Sequence, residues 1–434
     1  MRMIDLIERK RDGGELATAA INWFVTEYTA DHIPDYQASA FMMAVYLQGM
    51  NRRETGDLTL AMARSGDQLD LHDVAPFVVD KHSSGGVGDK TTLVVQPLVA
   101  ACGVPVGKMS GRGLGSSGGT LDKMESIRGW SPNLSLAQFK QQLGEIGLVL
   151  AGQTAELAPA DGKLYALRDV TGTVANYSLI AASIMSKKLA AGADAIVLDV
   201  KTGSGAFMPT VAAARDLARV MVDIGLDAGR KMVALISDMN QPLGTAVGNA
   251  LEVKEAVATL QGEGSPHLWV HAQAVAAQML RLAGRADSVE AAEEMLAEVR
   301  TNGQAFTKFR QMVAAQGGDV AQVDEPNKLP QAKLIEPLLA PRTGSIAAMN
   351  TAEIGWAVVR LGGGRFTKED KIDHAVGLML PVKIGDTVKA GDEMGTIHAN
   401  DADKLDQARQ EILAAIRWSD EPIEPLPHIH GTVT

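Results

Sequence analysis

Apolar residues recur at three- and four-residue spacing through the first seventy positions of the chain. The spacing predicts amphipathic helices over 15–28 and 35–50. Asn51-Arg52-Arg53-Glu54 has the form of a capping box that opens a further helix, and Gly66 marks its end. We therefore predict a small all-helical domain over residues 1–70.

From about residue 76 the pattern changes to short apolar runs that alternate with helical stretches. The runs that predict buried strands are 76–79, 148–151, 195–200 and 232–236. Such alternation is typical of an α/β domain with a mostly parallel central sheet. We predict this domain over 76–158 and 193–335, with its ligands bound beyond the carboxyl ends of the strands.

The composition shifts again from about residue 336. The residue pattern over 380–399 resembles that of the β-hammerhead found in biotinyl and lipoyl carriers. A carrier would present a lysine at the hairpin tip, whereas the predicted tip here is Ala399-Asn400-Asp401-Ala402. The sequence therefore predicts a structural hammerhead-like α+β module over 336–434, with a helix over 401–418 and an extended tail.

Composition and charge narrow the function classes. A formal net charge of −11 over 434 residues, with no block of Lys or Arg, argues against nucleic acid or an anionic membrane as the main partner. Cys102 is the only cysteine, so no internal disulfide forms. The most apolar run, 93–106, is interrupted by Gln96, Pro97 and Gly103 and is too short to span a bilayer. We expect a cytoplasmic protein.

Two glycine-rich loops carry the candidate chemistry. The first, 80–92, follows a predicted strand and precedes a predicted helix over 91–101. Glycines let a phosphate approach the backbone, and a helix start offers unpaired N–H donors. The second loop, 108–120, also carries Lys, Ser and Thr, which indicates one phosphate held from two sides. The first loop is not a Walker A motif, because Asp89 separates Gly88 from Lys90.

A second group of polar residues accompanies a predicted helix over 178–191. Ser183 and Lys187 are four residues apart and share one helical face, and Arg168 precedes them. They could bind a second, polar ligand; the alternative is a surface lysine beside a serine. His82, inside the first loop, is either a hydrogen-bond or proton donor or a structural histidine.

Several long motifs, in order, resemble the signature of the thymidine/pyrimidine-nucleoside phosphorylase family. They lie at 80–89, 110–126, 157–161, 201–209 and 238–244. The resemblance covers essentially the whole chain, and Lys108-Met109-Ser110 is more similar to the pyrimidine-nucleoside branch. It implies reversible phosphorolysis, in which a pyrimidine (deoxy)nucleoside and phosphate give free base and (deoxy)ribose 1-phosphate. It also implies a homodimer formed through the helical domain, which the segment of about 160–192 joins in space.

The resemblance assigns roles to individual residues. His82, Arg168 and Lys187 would be catalytic, with His82 beside the base O2, and Arg168, Ser183 and Lys187 would bind the base edge. The residues that would hold phosphate are Lys81, Ser83, Thr92, Lys108, Ser110 and Thr120. Family members place phosphate and nucleoside on different domains, so closure about a hinge is expected.

Two positions depart from the family pattern. The second loop has Ser116-Ser117 where the family usually has His-Thr. The pyrimidine-nucleoside branch binds K⁺ through positions that correspond to Gly88, Lys90, Leu243, Ala246 and Glu255, and position 90 is typically Thr there. We predict that the Lys90 ammonium fills this site and pairs with Glu255, so that no cofactor is required. The alternative is that Lys90 points to solvent and K⁺ still binds.

Two other functions stay open. A phosphoribosyltransferase of the related fold would use a pyrophosphorylated sugar and Mg²⁺, but no adjacent pair of Asp or Glu residues occurs between positions 80 and 260. A non-catalytic protein that binds phosphate or a nucleoside is the other alternative, to which the Ser116 departure lends some support.

Overall fold

The computed structural model describes residues 1–113, 115–367 and 369–434. The α-helices are α1 (Met3–Arg11), α2 (Thr18–Thr29), α3 (Asp35–Gln48), α4 (Arg52–Ala63), α5 (Thr91–Ala101), α6 (Thr120–Met124), α7 (Leu136–Ile146), α8 (Pro159–Thr171), α9 (Tyr177–Ala190), α10 (Val211–Asp227), α11 (Asn249–Leu260), α12 (Pro266–Leu282), α13 (Val289–Thr301), α14 (Gln304–Ala315), α15 (Ala321–Asp324), α16 (Thr351–Val358) and α17 (Ala402–Ala414). The strands are β1 (Val79–Ser83), β2 (Val106–Ser110), β3 (Leu148–Gly152), β4 (Ala195–Thr202), β5 (Lys231–Asp238), β6 (Ala246–Val247), β7 (Leu334–Leu339), β8 (Gly344–Met349), β9 (Gly377–Met379), β10 (Thr387–Val388), β11 (Glu393–Ala399), β12 (Ile416–Ser419) and β13 (Ile429–Val433). A 3₁₀ turn spans Pro326–Lys328, and a π-helical segment, Val359–Gly363, follows α16.

The predicted helical domain is confirmed. One hydrophobic core joins α1–α4 to residues of α8 and α9, among them Leu164 and Leu179. Phe24 anchors it, with its ring centroid 4.6 Å from that of Phe41. The predicted capping box at the start of α4 is present, as both of its reciprocal hydrogen bonds are formed. The helical domain is therefore assembled from two separate stretches of the chain.

The α/β domain contains a six-stranded sheet in the order β13-β5-β4-β1-β2-β3. β1 to β5 are parallel, which confirms the predicted mostly parallel sheet, and β13 pairs with β5 in the antiparallel direction. Every residue of β4 is buried, because alternate side chains pack into different cores: Val197 with α5, α11 and α12, and Ile196 with α9 and α10. The strand predicted at 76–79 starts only at Val79.

The C-terminal part forms two antiparallel sheets, as the fold prediction requires. One has the order β10-β8-β12, and the other has the order β6-β9-β11-β7. The helix predicted over 401–418 is too long: α17 ends at Ala414, because Ile416–Ser419 form β12 and pair with β8. The predicted extended tail returns to the central sheet as β13. This tail and β6 tie the C-terminal sheets to the α/β domain.

No helix within the described residues is both long enough and apolar enough to cross a membrane.

Candidate active site

Three neighbouring parallel strands end at the same edge of the central sheet. β4, β1 and β2 terminate there at Thr202, Ser83 and Ser110. The chain continues from β1 to β2 and β3 on one side, and β4 and β5 lie on the other, so β1 is the topological switch point. Open α/β sheets bind ligands at such a point. The loop 84–90 leads from β1 into α5, whose N-terminus favours an anion.

Lys81 is the most unusual side chain at this edge. It lies in the middle of β1, has 0% of its surface exposed, and its Nζ has no hydrogen-bond partner among the described residues. The nearest carboxylate oxygen is Asp199 Oδ2, at 3.9 Å. Burial lowers the pKa of Lys81, which Asp89 and Asp199 offset only in part. A buried ammonium without hydrogen bonds is costly unless an anion completes its shell.

The carboxylate of Asp199 interacts with donors other than Lys81, which explains why Lys81 makes no hydrogen bond to it. Lys201 Nζ lies 2.7 Å from Asp199 Oδ2, His271 Nε2 lies 2.9 Å from the same oxygen, and the Ser237 hydroxyl donates to Oδ1 at 2.6 Å. Asp199 is therefore saturated by partners other than Lys81. These attractions outweigh burial, so the pKa of Asp199 is far below its usual value.

A cluster of buried charges surrounds the strand ends and carries an excess of positive charge. Among the described residues it contains five lysines (Lys81, Lys108, Lys123, Lys188 and Lys201) and four acids (Asp80, Asp89, Asp199 and Glu252). Lys123 lies 2.9 Å from Glu252 Oε2, and Lys188 donates to Asp80 Oδ2 at 2.7 Å. With the acids engaged in this way, an anion would offset the excess of positive charge.

Asp89 orders the first glycine loop. It accepts a hydrogen bond from the Ser83 hydroxyl, and its Oδ1 accepts from the Thr91 hydroxyl at 2.6 Å. Lys123 Nζ donates to the Asp89 carbonyl at 2.7 Å, which fastens the loop to α6. These hydrogen bonds define the shape of the loop.

The structure brings the residues predicted to hold phosphate to this edge. Thr92 is buried in the first turn of α5, Ser110 ends β2, and Thr120 begins α6. Lys108 Nζ donates to the Lys81 carbonyl at 2.5 Å. Burial and the neighbouring ammoniums of Lys188 and Lys81 hold the pKa of Lys108 well below its usual value. Phosphate binding by Thr92, Lys108, Ser110 and Thr120 stays a prediction.

His82 is partly buried near the end of β1. Burial and the nearby ammoniums of Lys188, Lys108 and Lys81 hold the pKa of His82 well below its usual value. These surroundings favour the neutral imidazole over the imidazolium. Such a ring offers one N–H donor and one nitrogen acceptor.

The three residues predicted to bind a base lie on α8 and α9. Lys187 Nζ pairs with Asp161 and donates to the Ser183 hydroxyl at 3.0 Å, as expected for neighbours on one helical face. Lys187 also lines a narrow cleft with Lys188, Met109, Gln153 and Leu157. This cleft separates α9 from the ends of β2 and β3.

Arg168 lies near the end of α8, beside the turn that leads to α9, and its role in base binding stays a prediction. Its guanidinium is buried and donates to three backbone carbonyls, those of Thr173 at 3.2 Å, Leu179 at 3.1 Å and Val174 at 2.8 Å. These bonds hold the turn between α8 and α9. Two of its five N–H donors are left for a ligand.

Lys90 is buried, with 1% of its surface exposed. Its Nζ lies 2.7 Å from the Leu243 carbonyl, 2.8 Å from the Ala246 carbonyl and 2.6 Å from Glu255 Oε2. The side chain therefore does not point to solvent. It meets the oxygens at three of the positions that the resemblance assigns to a cation.

The second glycine loop packs against the C-terminal module. A Cβ on Gly355 of α16 would lie 2.3 Å from the Ser116 carbonyl, so the two backbones touch. Asp122 of α6 accepts hydrogen bonds from the Gly113 amide and the Arg365 guanidinium, at 2.7 and 2.9 Å. Leu114, which belongs to the motif at 110–126, lies outside the described residues. Positions 115–118 line a pocket shared with this module.

Comparison with known proteins assigns this architecture to a family. Residues 75–306 match the profile described as "Glycosyl transferase family, a/b domain", 4–66 match its helical bundle domain, and 345–419 match "Pyrimidine nucleoside phosphorylase C-terminal domain". The pyrimidine-nucleoside phosphorylases of Geobacillus stearothermophilus and Staphylococcus aureus (strain N315) are each 51% identical over 434 residues, which is 100% of both chains. The chain belongs to the pyrimidine-nucleoside phosphorylase family.

A solved structure shows how far the fold extends beyond the family. Anthranilate phosphoribosyltransferase from Thermus thermophilus aligns with a TM-score of 0.59 at 20% identity, covering 72% of this chain and 99% of the other. This likeness concerns the fold alone. Within the described residues of this family member, no group of three or more His, Cys, Asp or Glu side chains could hold a metal ion.

Sequence reasoning missed several members of the charge cluster in this phosphorylase-family chain. Lys188 follows Lys187 but points to the sheet, where it donates to Asp80 and to the Met109 carbonyl at 3.0 Å. Asp199 and His271 were also missed. They are in direct contact in the structure, but 72 residues separate them in the sequence. One signal was available: charged residues such as Asp199 and Lys201 inside an otherwise apolar strand are rarely buried without a function.

Proposed function

We propose that this member of the pyrimidine-nucleoside phosphorylase family catalyses the reversible phosphorolysis of pyrimidine (deoxy)nucleosides. The observation that carries the proposal is the buried Lys81 ammonium at the switch point of the sheet, whose Nζ has no hydrogen-bond partner within the described part of the chain. It lies in a lysine-rich cluster at the start of α5, where an oxyanion is the ligand that completes the hydrogen bonds. The 51% identity over the full chain supports the same reaction.

In the proposed reaction, a phosphate oxygen attacks C1′ and the glycosidic bond to the base breaks. The bonding electron pair leaves with the base, so negative charge develops on its ring and carbonyl oxygens. Lys81 and Lys108 would position the phosphate, and Lys187 would stabilise the departing base. The hydrogenphosphate dianion brings the proton that the base finally needs, so atoms and charges balance without another reagent.

His82 is suited to handle that proton. A neutral imidazole accepts a proton at one nitrogen while it donates from the other, and the lowered pKa of His82 keeps the ring neutral before substrate binds. The negative charge that develops on the base would favour donation toward it. We propose that His82 is the proton relay and that Arg168 acts chiefly by holding the turn beside Lys187.

The proposed site requires movement between the two domains. Lys187 belongs to the helical domain, whereas Lys81 and Lys108 belong to the sheet. The cleft that Lys187 lines is bounded by Met109, Gln153, Leu157 and Lys188, and neither Lys81 nor Lys108 lines it. We propose that the cleft opens to admit the nucleoside and closes over it.

A direct assay tests the proposal. The protein is incubated with uridine or thymidine and inorganic phosphate, and the free base is followed by absorbance. Base release that depends on phosphate supports the function. Release of pyrophosphate from a pyrophosphorylated sugar, without base release, would instead identify a transferase, and neither reaction would identify a binding protein. A competition between equal concentrations of uridine and thymidine then ranks the substrates.

We also propose that the protein forms a homodimer through its helical domain. Tyr36, Met43 and Leu47 are exposed at 74%, 38% and 72%, and they lie on one face of α3 at spacings of seven and four residues. Ile4 of α1, which packs against α3, is exposed at 45%. Such an apolar stripe fits a self-complementary contact. Sedimentation of the wild type and of Leu47→Glu tests it, since the variant should be monomeric.

A further inference from the structure

The Lys90 ammonium sits in a cage made only of oxygen atoms. Its three N–H donors meet three acceptors, the carbonyls of Leu243 and Ala246 and the carboxylate of Glu255, at 2.6 to 2.8 Å. We propose that this ammonium is a permanent internal cation that takes the place of the K⁺ ion bound by related phosphorylases, so that the protein needs no monovalent cation.

The residues present do not fit a K⁺ ion. Such an ion would have to lie where Lys90 Nζ already lies, in contact with the same oxygens, and two cations cannot share so small a space. The Lys90 side chain also adds no oxygen, which a Thr at this position would supply. None of the surface of the Lys90 side chain itself is exposed, so it has no route to solvent without opening the loop.

A second lysine makes the surroundings still less favourable to an added cation. Lys383, from the C-terminal module, donates to the carbonyls of Pro242 and Gly244, at 2.9 and 2.5 Å. Burial, and then the neighbouring Lys90 ammonium, lower the pKa of Lys383 to about 7. Burial alone would raise the pKa of Glu255, but Lys90 and the backbone N–H groups of Ala246 and Thr245 outweigh it, and the pKa lies below its usual value.

The cage joins three parts of the molecule. Lys90 precedes the first residue of α5, Glu255 lies on α11, and the two carbonyls belong to the segment 242–247. Gly88 lies directly against this segment: a Cβ there would come within 2.8 Å of the Leu243 carbonyl and 3.0 Å of the Ala246 carbonyl. The Leu243 amide also donates to the Val87 carbonyl at 3.1 Å. The internal cation therefore fixes the loop that follows Lys81.

Three variants test the inference. Lys90→Thr restores an oxygen and removes the charge, Lys90→Met keeps the length and removes the charge, and Lys389→Thr is a matched control at an exposed lysine of the C-terminal module. For each protein, Tm without substrates is measured in KCl, NaCl and LiCl at equal ionic strength. Phosphate affinity is measured by calorimetry in the same salts.

We expect the wild type and Lys389→Thr to give the same Tm and the same phosphate affinity in all three salts. Lys90→Thr should melt about 5 °C lower in LiCl and recover most of this loss in KCl. Lys90→Met should show the same loss without recovery, because it offers K⁺ no oxygen. Phosphate should bind to Lys90→Thr about tenfold more tightly in KCl than in LiCl.

The wild-type measurement decides the inference even if both variants fail to fold. A wild type whose Tm or phosphate affinity rises strongly in KCl relative to NaCl would overturn it, as would a Lys90→Thr protein that is indifferent to K⁺. The phosphate measurement rests on the proposed function, whereas Tm does not. A protein without phosphorolysis but with salt-independent Tm would therefore refute the function and leave the internal cation standing.

Discussion

Replacing Lys81 with methionine separates what this residue does for function from what it does for stability. Methionine has nearly the same length but no charge. Lys81 Nζ has no hydrogen-bond partner among the described residues, and Asp199, 3.9 Å away, keeps Lys201, His271 and Ser237 as partners. The substitution therefore removes a buried charge without leaving Asp199 unpaired.

Lys81→Met is expected to stabilise the folded protein and to weaken phosphate binding. An unsatisfied buried polar group costs about 1–3 kcal/mol, so Lys81→Met should raise the free energy of unfolding by about that amount and Tm by about 2–5 °C. Removing one partner of a buried charged contact costs about 2–5 kcal/mol of binding energy. The dissociation constant for phosphate should therefore rise roughly 30- to 4,000-fold.

Calorimetric titration with inorganic phosphate measures the affinity, and thermal unfolding without phosphate measures the stability. Lys389→Met, at an exposed site, is the control and should change neither quantity. A phosphate affinity within about threefold of the wild type would contradict the proposed role of Lys81 in binding phosphate. A lower unfolding temperature for Lys81→Met would show instead that Lys81 stabilises the folded chain.

Three further predictions concern charge and proton transfer at the site. Phosphate binding should be accompanied by proton uptake at pH values between the lowered pKa of Lys108 and the ordinary lysine pKa of 10.5, because the bound anion favours the ammonium form. Calorimetry in buffers of different ionisation enthalpy measures this uptake. The affinity for phosphate should fall as the pH rises through the lowered pKa. Arg168→Lys should lower Tm by about 3–6 °C, because a lysine cannot reach all three backbone carbonyls. An unchanged Tm with a raised KM for the nucleoside would mean that the guanidinium only binds the base. His82→Gln should lower kcat about 10²- to 10⁴-fold, and the wild-type profile of kcat/KM against pH should show no ionisation of His82 near its ordinary value of 6.5.

The sequence alone was sufficient for features set by local pattern. The 3.6-residue periodicity predicted the helical domain, the alternation of apolar runs and helices predicted the parallel sheet, and α5 was placed at Thr91–Ala101 as observed. The glycine loop beside Lys81 and His82 pointed to an oxyanion site, although both residues lie within β1 and not after the predicted strand. These features depend on neighbours within one or two turns, so the order of residues carries the information.

Only the tertiary structure decided how the charges are paired. Lys81 and Lys201 both lie in buried strands, yet Lys201 Nζ bonds to Asp199, whereas Lys81 Nζ has no hydrogen-bond partner among the described residues. Nothing local in the sequence distinguishes the two, because the competing donors His271 and Ser237 come from distant elements. The return of the tail as β13 is likewise a long-range pairing that the extended pattern did not indicate.

The environment of Lys90 shows both sources of information acting together. The departure from threonine at position 90 is visible in the sequence and raises the question of a missing ion. The answer depends on oxygens at Leu243, Ala246 and Glu255, more than 150 residues further along the chain, converging on one Nζ atom. A hydrogen bond requires its atoms within about 3 Å, and only the folded backbone sets that distance.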